Sequence, residues 1–172
     1  MKAFSNLLMA SIVAVSVGAA IAFSADDAAS EDSLLFGGKL PAGYRDWKLI
    51  SVAHEEGNLN DLRAILGNDI AIQAYRQGKL PFPDGAIIAR LAWSYVPSEE
   101  NNKVFGRVQS FVAGPPTNVQ FMVKDGKNYA STGGWGIAQF NDGKPFSIVV
   151  SDCFSCHVPV KDRDFVYTRY AP

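Results

Sequence analysis

The stretch TNVQFMVK, residues 117–124, carries the clearest strand pattern in this chain of 172 residues and decides the predicted fold. Val119, Phe121 and Val123 fall on one face of an extended backbone, whereas residues 118, 120, 122 and 124 fall on the other. Alternation with a period of two is typical of a strand that has one face in the core. The Asp125-Gly126 pair that follows has turn chemistry and ends the strand.

Apolar segments with β-branched members recur on both sides of this stretch, and turn residues separate them. We predict strands over residues 47–54, 62–66, 86–96, 104–112, 117–124 and 132–140. Loops or breaks are predicted at residues 55–60, 81–85, 97–102, 114–116 and 141–143, where glycine, proline and polar residues cluster. This order predicts an α+β fold that is mainly antiparallel β-sheet, with a few short helices.

Two helices are predicted. The first covers Asp69–Gln77, because Asn68 can cap its first turn and Gly78 can end it. The second lies within residues 144–160, with Pro145 in its first turn. The tail at residues 165–170 is predicted to be extended.

The charge balance of the chain excludes some classes of partner. Sixteen Lys and Arg face 17 Asp and Glu, so the formal net charge is -1, and the pI is about 6.1. This balance gives no electrostatic case for binding nucleic acid or an anionic membrane. Residues 41–172 are long enough for one domain with a sizeable core.

Residues 1–25 are predicted to be an export signal peptide. Lys2 supplies a positive start, an apolar run covers residues 7–22, and small residues suited to cleavage follow. The run is shorter than the ~20 residues of a membrane-spanning helix, so we expect cleavage and no membrane span afterwards. Residues 26–33 are small, polar and acidic, and a flexible leader is predicted over residues 26–40. The expected location is the periplasm or another exported compartment.

The sequence CFSCH occupies residues 153–157. A C-x-x-C-H run is typical of c-type haem attachment, in which Cys153 and Cys156 bond to the haem and His157 is the proximal iron ligand. A thioredoxin-like redox motif, a zinc site and a short-loop disulfide or pair of buried thiols are the alternatives. A thioredoxin-like redox motif usually follows an early strand. A zinc site needs more ligands than this run supplies, and the only other histidine of the chain is His54. We therefore predict one covalently attached haem c.

The sixth position of the iron has few candidate ligands in this chain. Electron-transfer cytochromes usually place Met or a second His there. After removal of the signal only Met122 and His54 are available. Met122 could equally fill a gap in the core, and His54, beside Glu55 and Glu56, could be a surface residue. We therefore expect a five-coordinate iron that binds NO, CO, hydroxylamine or peroxide.

Four motifs occur in a specific order: FPDG at residues 82–85, FMVKD at 121–125, GGWG at 133–136, and the late C-x-x-C-H run. With this ordered set the chain resembles the cytochrome P-460 family, including its cytochrome c′-beta relatives. The resemblance covers the chain from about Trp47 to the C-terminus. It implies an exported, mainly antiparallel β domain, commonly a homodimer, with one five-coordinate haem.

The resemblance also implies residues on the distal side of the haem. P-460 enzymes oxidise hydroxylamine, and one of their lysines is bonded to the porphyrin ring. The matched position here holds Arg90, which has no amine to form that bond. Lys103 and Lys124 are the other lysines considered, and both are more simply interpreted as solvated charges at strand ends. The family's proton-moving distal carboxylate is matched by Gln120, which is neither an acid nor a base.

Three functions follow as hypotheses. The first is a protein with an open iron that binds or transforms NO and similar nitrogen oxides, with Phe111 and Phe121 capping the distal face as aromatic residues do in c′-beta relatives. Both rings could instead be ordinary sheet core. The second is a hydroxylamine-oxidising enzyme that passes electrons to a partner cytochrome. The third is a simple electron-transfer cytochrome, which requires Met122 or His54 on the iron.

Overall fold

The computed structural model describes residues 32–148 and 150–171. In these ranges one antiparallel sheet has six strands, each paired with the next along the chain. The strands are β1 (Lys48–Glu55), β2 (Asp61–Gly67), β3 (Ile87–Pro97), β4 (Phe111–Lys124), β5 (Trp135–Asn141) and β6 (Lys144–Phe146). The signal peptide predicted over residues 1–25, and the first part of the predicted leader, lie outside the described residues.

The helices of the described ranges are short. They are α1 (Asp69–Gln77), α2 (Glu99–Phe105) and α3 (Val150–His157), and a 3₁₀ segment at Val158–Arg163 follows α3 directly. None of the described helices has the length and apolar character needed to cross a bilayer. The predicted α+β class, mainly antiparallel sheet with a few short helices, is confirmed.

The register of the sheet separates its side chains into two faces. One row of directly paired residues crosses β2 to β5: Leu66, Ala89, Phe121 and Ala138. We call the side to which this row points the aromatic face. The adjacent row consists of Ile65, Arg90, Gln120 and Gln139. Because successive side chains of a strand point to opposite sides, this second row lies on the other face, which we call the polar face.

Phe121 lies at the centre of the aromatic face and is fully buried. Four rings contact it edge-on, with centroid separations between 5.3 and 6.2 Å: Phe36, Tyr44, Trp47 and Phe140. Edge-to-face pairs of this kind contribute about 0.5–1.5 kcal/mol each beyond the burial of their area. Leu35 is buried in the same cluster. The core therefore includes apolar residues from the segment predicted to be a leader.

Helix α1 and the C-terminal tail, residues 164–171, cover one end of the polar face. Asn68 caps α1 as predicted, since its Oδ1 accepts from the Ala71 N–H at 3.0 Å. Gly78 ends the helix in the left-handed conformation, with φ of 60°. The buried side of α1 joins one apolar cluster with sheet and tail residues: Ile50, Ile65, Phe82, Ile88, Trp135 and Val166. The predicted helix over Asp69–Gln77 is confirmed.

Helix α2 replaces most of the loop predicted at 97–102 and the start of the strand predicted at 104–112, of which only residues 111–112 are strand, at the start of β4. Both predictions are wrong over most of their length. The Ser98 hydroxyl accepts from the Asn101 N–H, so Ser98 is the N-cap of α2. Glu99 and Glu100 lie in the first turn, where carboxylates stabilise the positive end of the helix. Gly106 ends the helix in the left-handed conformation.

The break predicted at residues 114–116 is wrong as a strand end, because β4 runs through it, but the pairing of β4 with β3 changes register there. Pairing of β4 with β5 begins only at Val119, so residues 111–118 have an open edge on that side. Strands tolerate prolines at open edges and at irregularities of this kind. Pro145 likewise lies in the edge strand β6 and not in the first turn of the last helix, which begins at Val150.

Candidate functional site

The two cysteines of the chain lie on α3, three positions apart, and both are free thiols. Residues at this spacing share one side of a helix. Cys156 is exposed and Cys153 is partly buried. Both thiols can therefore reach one flat ligand beside the helix.

The chemistry of these thiols disfavours the redox and zinc interpretations. Burial raises the pKa of the Cys153 thiol, and the nearby Asp152 carboxylate raises that pKa further. The cysteine that attacks a disulfide in a redox motif has a lowered pKa, whereas the pKa of Cys153 is raised. Among the described residues no group of three or more His, Cys, Asp and Glu side chains could hold a metal ion.

The His157 ring is oriented by the backbone of the tail. Its Nδ1 lies 2.8 Å from the Phe165 carbonyl oxygen. A carbonyl can only accept, so Nδ1 carries a proton, and in the neutral ring Nε2 then has the lone pair. Histidines that ligate a metal commonly have this arrangement, because the outer hydrogen bond fixes the tautomer and the ring orientation. The donor set of two free thiols and one oriented imidazole fits a c-type haem.

The tail holds the end of α3 through further contacts. The Tyr167 hydroxyl donates to the Cys156 carbonyl at 2.6 Å, and its ring meets the His157 ring edge-on at 5.5 Å. The Phe165 ring contacts the Phe154 ring at 4.9 Å. Val166 is buried in the α1 cluster. The attachment motif is thereby joined to the end of the polar face that α1 covers.

Arg90 and Gln120 come together on the polar face. They are directly paired between β3 and β4, and an Arg90 terminal nitrogen donates to Gln120 Oε1 at 3.0 Å. The same nitrogen donates to Asn118 Oδ1 at 2.8 Å, and the other terminal nitrogen donates to Asp61 Oδ2. Burial lowers the pKa of Arg90, as does the Arg63 cation, while the Asp61 carboxylate acts against both. A guanidinium remains charged despite such a shift.

These contacts extend into a polar band across five strands. On one side, Arg63 lies 2.8 Å from Asp61 Oδ1 and 3.3 Å from Glu55 Oε1. On the other side, Gln120 donates to Gln139 at 2.7 Å, and Gln139 donates to Asn141 at 3.0 Å. Asp61 is buried, with 3% exposure. The band gives the polar face a line of fixed donors, in which one buried carboxylate lies between two guanidinium groups.

The two aromatic candidates do not join Arg90 and Gln120. Phe121 lies on the opposite face of the sheet, where it is core. Phe111 begins β4 and is 39% exposed, and its ring stacks on Tyr95 at 4.4 Å. For Phe121 the structure supports the simpler interpretation, an ordinary core residue of the sheet.

The candidate sixth ligands lie on different faces. Met122 is on the polar face, paired with Ile88 and Ile137, and it packs against the α1 cluster. His54 stacks on Tyr95 at 3.8 Å. Its neighbour Glu55 joins the polar band, so the alternation of β1 directs His54 to the aromatic side.

The two lysines considered for a bond to the porphyrin have different environments. Lys103 is exposed on α2. Lys124 was predicted to be a solvated charge at a strand end, and this prediction is wrong. It is 6% exposed, and its ammonium lies 2.7 Å from Asp164 Oδ1. Lys124 is the last residue of β4, and its side chain contacts the tail, which shields the ammonium from water.

Several residues of the site were missed from the sequence. Asp61 and Arg63 alternate with Leu62 and Ala64, a period-two pattern that could have placed both charges on one face of β2. Asp164 and Phe165 carry no comparable signal. Their contacts with Lys124 and His157 arise only when the tail folds back on the sheet.

Similarity to known proteins agrees with this geometry. None of the curated proteins is significantly similar to the chain. The family model for Cytochrome P460 matches residues 41–168, a range that includes the polar band, the attachment motif and most of the tail. The match also covers most of the chain. The chain belongs to the Cytochrome P460 family and is a haem-binding protein.

Proposed function

We propose that this chain is an exported protein with one covalently attached haem c and an open iron position, which binds NO and related small nitrogen oxides. The observation that carries the proposal is the hydrogen bond from His157 Nδ1 to the Phe165 carbonyl, which leaves Nε2 available as the proximal ligand. Cys153 and Cys156 would hold the ring. Each thiol would add across one haem vinyl group, its sulfur bonding to one carbon and its hydrogen going to the other, so the attachment would need no oxidant.

The positions of His54 and Met122 in the fold support an open sixth coordination position on the iron. His54 is held in a ring stack on the aromatic side of the sheet. Met122 packs against the apolar cluster under α1. A bound haem supplies an iron that takes NO or a similar small molecule as a ligand when no side chain occupies that position.

Arg90 and Gln120 are the proposed distal residues, by their match to the family's distal positions and by their contact with each other. A guanidinium and an amide can donate hydrogen bonds to a bound oxygen or nitrogen atom. Neither accepts a proton at neutral pH, so they would orient a ligand and not deprotonate it. This chemistry favours ligand binding over oxidation.

Hydroxylamine oxidation is the second candidate, and Asp61 is the observation that favours it. Asp61 supplies a buried carboxylate next to Arg90, on the face that carries Gln120. Both of its oxygens accept hydrogen bonds from guanidinium groups, which leaves them less free to reach a substrate. If this candidate is correct, the electrons would pass to a partner cytochrome.

The optical spectrum of the protein, produced with a haem-attachment system, tests these alternatives. We expect haem that stays bound after denaturation, a high-spin five-coordinate ferrous spectrum, and a new spectrum on titration with NO. The variant with both Cys153→Ser and Cys156→Ser should lose covalent haem, and cell fractionation should place the wild type outside the cytoplasm. A strongly red-shifted ferrous band with hydroxylamine-dependent reduction would support the oxidase. A low-spin six-coordinate spectrum would contradict both of these functions and would support simple electron transfer.

A further inference from the structure

Lys124 and Asp164 form a buried ion pair, and Asp164 is the neighbour in sequence of Phe165, whose carbonyl contacts His157. The Lys124 ammonium contacts both carboxylate oxygens of Asp164, at 2.7 and 2.9 Å. Lys124 is 6% exposed and Asp164 is 8% exposed. A buried ion pair is weak evidence for added stability, because desolvation offsets much of the attraction. Its position in the structure is therefore more informative than its energy.

Asp164 is held at both its side chain and its backbone. Its Oδ2 also accepts from the Phe82 N–H at 2.8 Å, and its carbonyl accepts from the Trp135 indole N–H at 2.7 Å. These donors belong to the FPDG turn and to β5, which are remote from the tail in sequence. Hydrogen bonds from β4, from β5 and from the FPDG turn therefore hold Asp164 in place.

Asp164 immediately precedes Phe165, whose carbonyl accepts the hydrogen bond from His157 Nδ1. Asp164 and Phe165 have φ angles of 53° and 64°. Outside glycine, and with some tolerance for Asp and Asn, the left-handed conformation costs roughly 1–2 kcal/mol per residue. The Phe165 carbonyl faces His157 only while this pair of residues keeps its unusual backbone.

The same ammonium also supports the surface beneath the Phe165 ring. Lys124 Nζ donates to the Gly133 carbonyl at 2.9 Å and lies 5.0 Å from the centre of the Trp135 ring. The Phe165 ring packs so closely on Gly133 that a Cβ there would come within 2.2 Å of it. The Lys124 ammonium therefore links Asp164, the residue before Phe165, to Gly133, against which the Phe165 ring packs.

We propose that Lys124 and Asp164 are positioning residues for the proximal histidine: they hold the Phe165 carbonyl against His157 Nδ1 and thereby set the basicity of the imidazole toward the iron. The inference rests on the proposed function, since it requires His157 as the iron ligand. Neither residue contacts the haem in this scheme. Their effect is transmitted through one backbone carbonyl, and outer hydrogen bonds of this kind raise the basicity of a ligating imidazole.

The variants Lys124→Met and Asp164→Asn test the inference in the haem-loaded protein. We expect the iron–histidine stretching band of the ferrous protein to move to lower frequency and the affinity for CO to shift with it, because outer hydrogen bonds tune a ligating imidazole. The midpoint potential should rise in both variants, because a less basic imidazole stabilises the ferric iron less. Asn keeps the size of Asp and tolerates the left-handed backbone, so Asp164→Asn carries the test if Lys124→Met does not fold.

Two controls separate a change at the iron from a general loss of stability. Lys48→Met removes the exposed ion pair that joins β1 to α1. Ser98→Ala weakens α2 through its cap without contacting His157. Both should leave the stretching band in place. Folded Lys124 and Asp164 variants with a wild-type band and wild-type CO affinity would overturn the inference. A wild type without histidine-ligated covalent haem would instead overturn the proposed function.

Discussion

Arg90 and Gln120 face each other across β3 and β4, and the Arg90 guanidinium donates a hydrogen bond to the Gln120 side-chain oxygen at 3.0 Å. The resemblance to P-460 enzymes predicts that these positions match their porphyrin-bonded lysine and their distal carboxylate. Under that match, the contact between Arg90 and Gln120 makes the two differences from the enzymes physically dependent on each other. An amide accepts from the cation without adding charge, and it leaves Asp61 as the main counter-charge of Arg90.

The first prediction concerns Gln120. We expect Gln120→Glu to weaken NO binding by about 2- to 10-fold, because a carboxylate can only accept and one donated hydrogen bond is worth about 0.5–1.5 kcal/mol. Gln139→Glu, one strand further along the band, is the matched control and should change the affinity less. Dissociation constants from NO titration measure the difference. Equal losses in the two variants would show that Gln120 does not approach the ligand.

The second prediction concerns the carboxylate at the centre of the polar band. Asp61→Asn leaves Arg63 and Arg90 close together without the buried charge that both contact. We expect the free energy of unfolding to fall by about 3–5 kcal/mol, the usual cost of removing one member of a buried ion pair. Urea unfolding measures the change. Asp69→Asn removes an exposed partner of Lys48 and should have a much smaller effect.

Local signals explain which parts of the fold could be predicted. The strand within residues 117–124 and the helix Asp69–Gln77 were visible because period, cap and end signals coincide there. Helix α2 was missed because Val104 and the β-branched residues after it favoured a strand over the cap at Ser98. Pro115 and Pro116 suggested a break, yet they lie on an edge of β4 that has no β5 partner, where the pairing with β3 also changes register. That edge depends on where β5 begins, which no local pattern reveals.

The site divides in the same way. The CFSCH motif is local, so its two thiols and its imidazole were recognised from five residues. Arg90 and Gln120 came from the family likeness, and the register of the sheet then brought them together. Asp164 could not be predicted, since its partners Lys124 and Phe82 are 40 and 82 positions away in the chain. Contacts of that kind require the complete topology.

The third prediction concerns pH. Burial raises the pKa of Tyr75, whose hydroxyl donates to the Thr168 carbonyl at 3.1 Å. An unfolded tyrosine ionises near about pH 10, so above that pH the unfolded chain loses a proton that the folded chain keeps. The stability contribution is complete below about pH 10 and is lost as the pH rises toward the folded pKa.

Tyr75→Phe should therefore reduce the alkaline loss of stability. We expect the variant to be about 1 kcal/mol less stable near neutral pH, through its lost hydrogen bond. Between neutral pH and about pH 10.5 its free energy of unfolding should fall less than that of the wild type. Urea unfolding at both pH values checks this. An unchanged alkaline loss in Tyr75→Phe would contradict the assignment.

The last prediction uses two glycines that have the same backbone and different surroundings. Gly133 and Gly106 both have φ of 66°. A Cβ on Gly106 would meet nothing within 4 Å, whereas a Cβ on Gly133 would come within 2.2 Å of the Phe165 ring. Gly106→Ala should cost about 1–2 kcal/mol from the left-handed backbone alone. Gly133→Ala should cost about 1–3 kcal/mol more, because a well-packed ring must move.

The displaced ring should also be visible at the haem. Phe165 moves with its own carbonyl, so Gly133→Ala should lengthen the hydrogen bond from His157 Nδ1 and shift the iron–histidine stretching band as the Lys124 and Asp164 variants do. Gly106→Ala should leave that band unchanged, since α2 has no part in the site. Raman spectra of the two ferrous variants, with urea unfolding of each, make the comparison. A band that moved equally in both variants would mean that general loosening of the fold, and not the Phe165 carbonyl, controls the proximal bond.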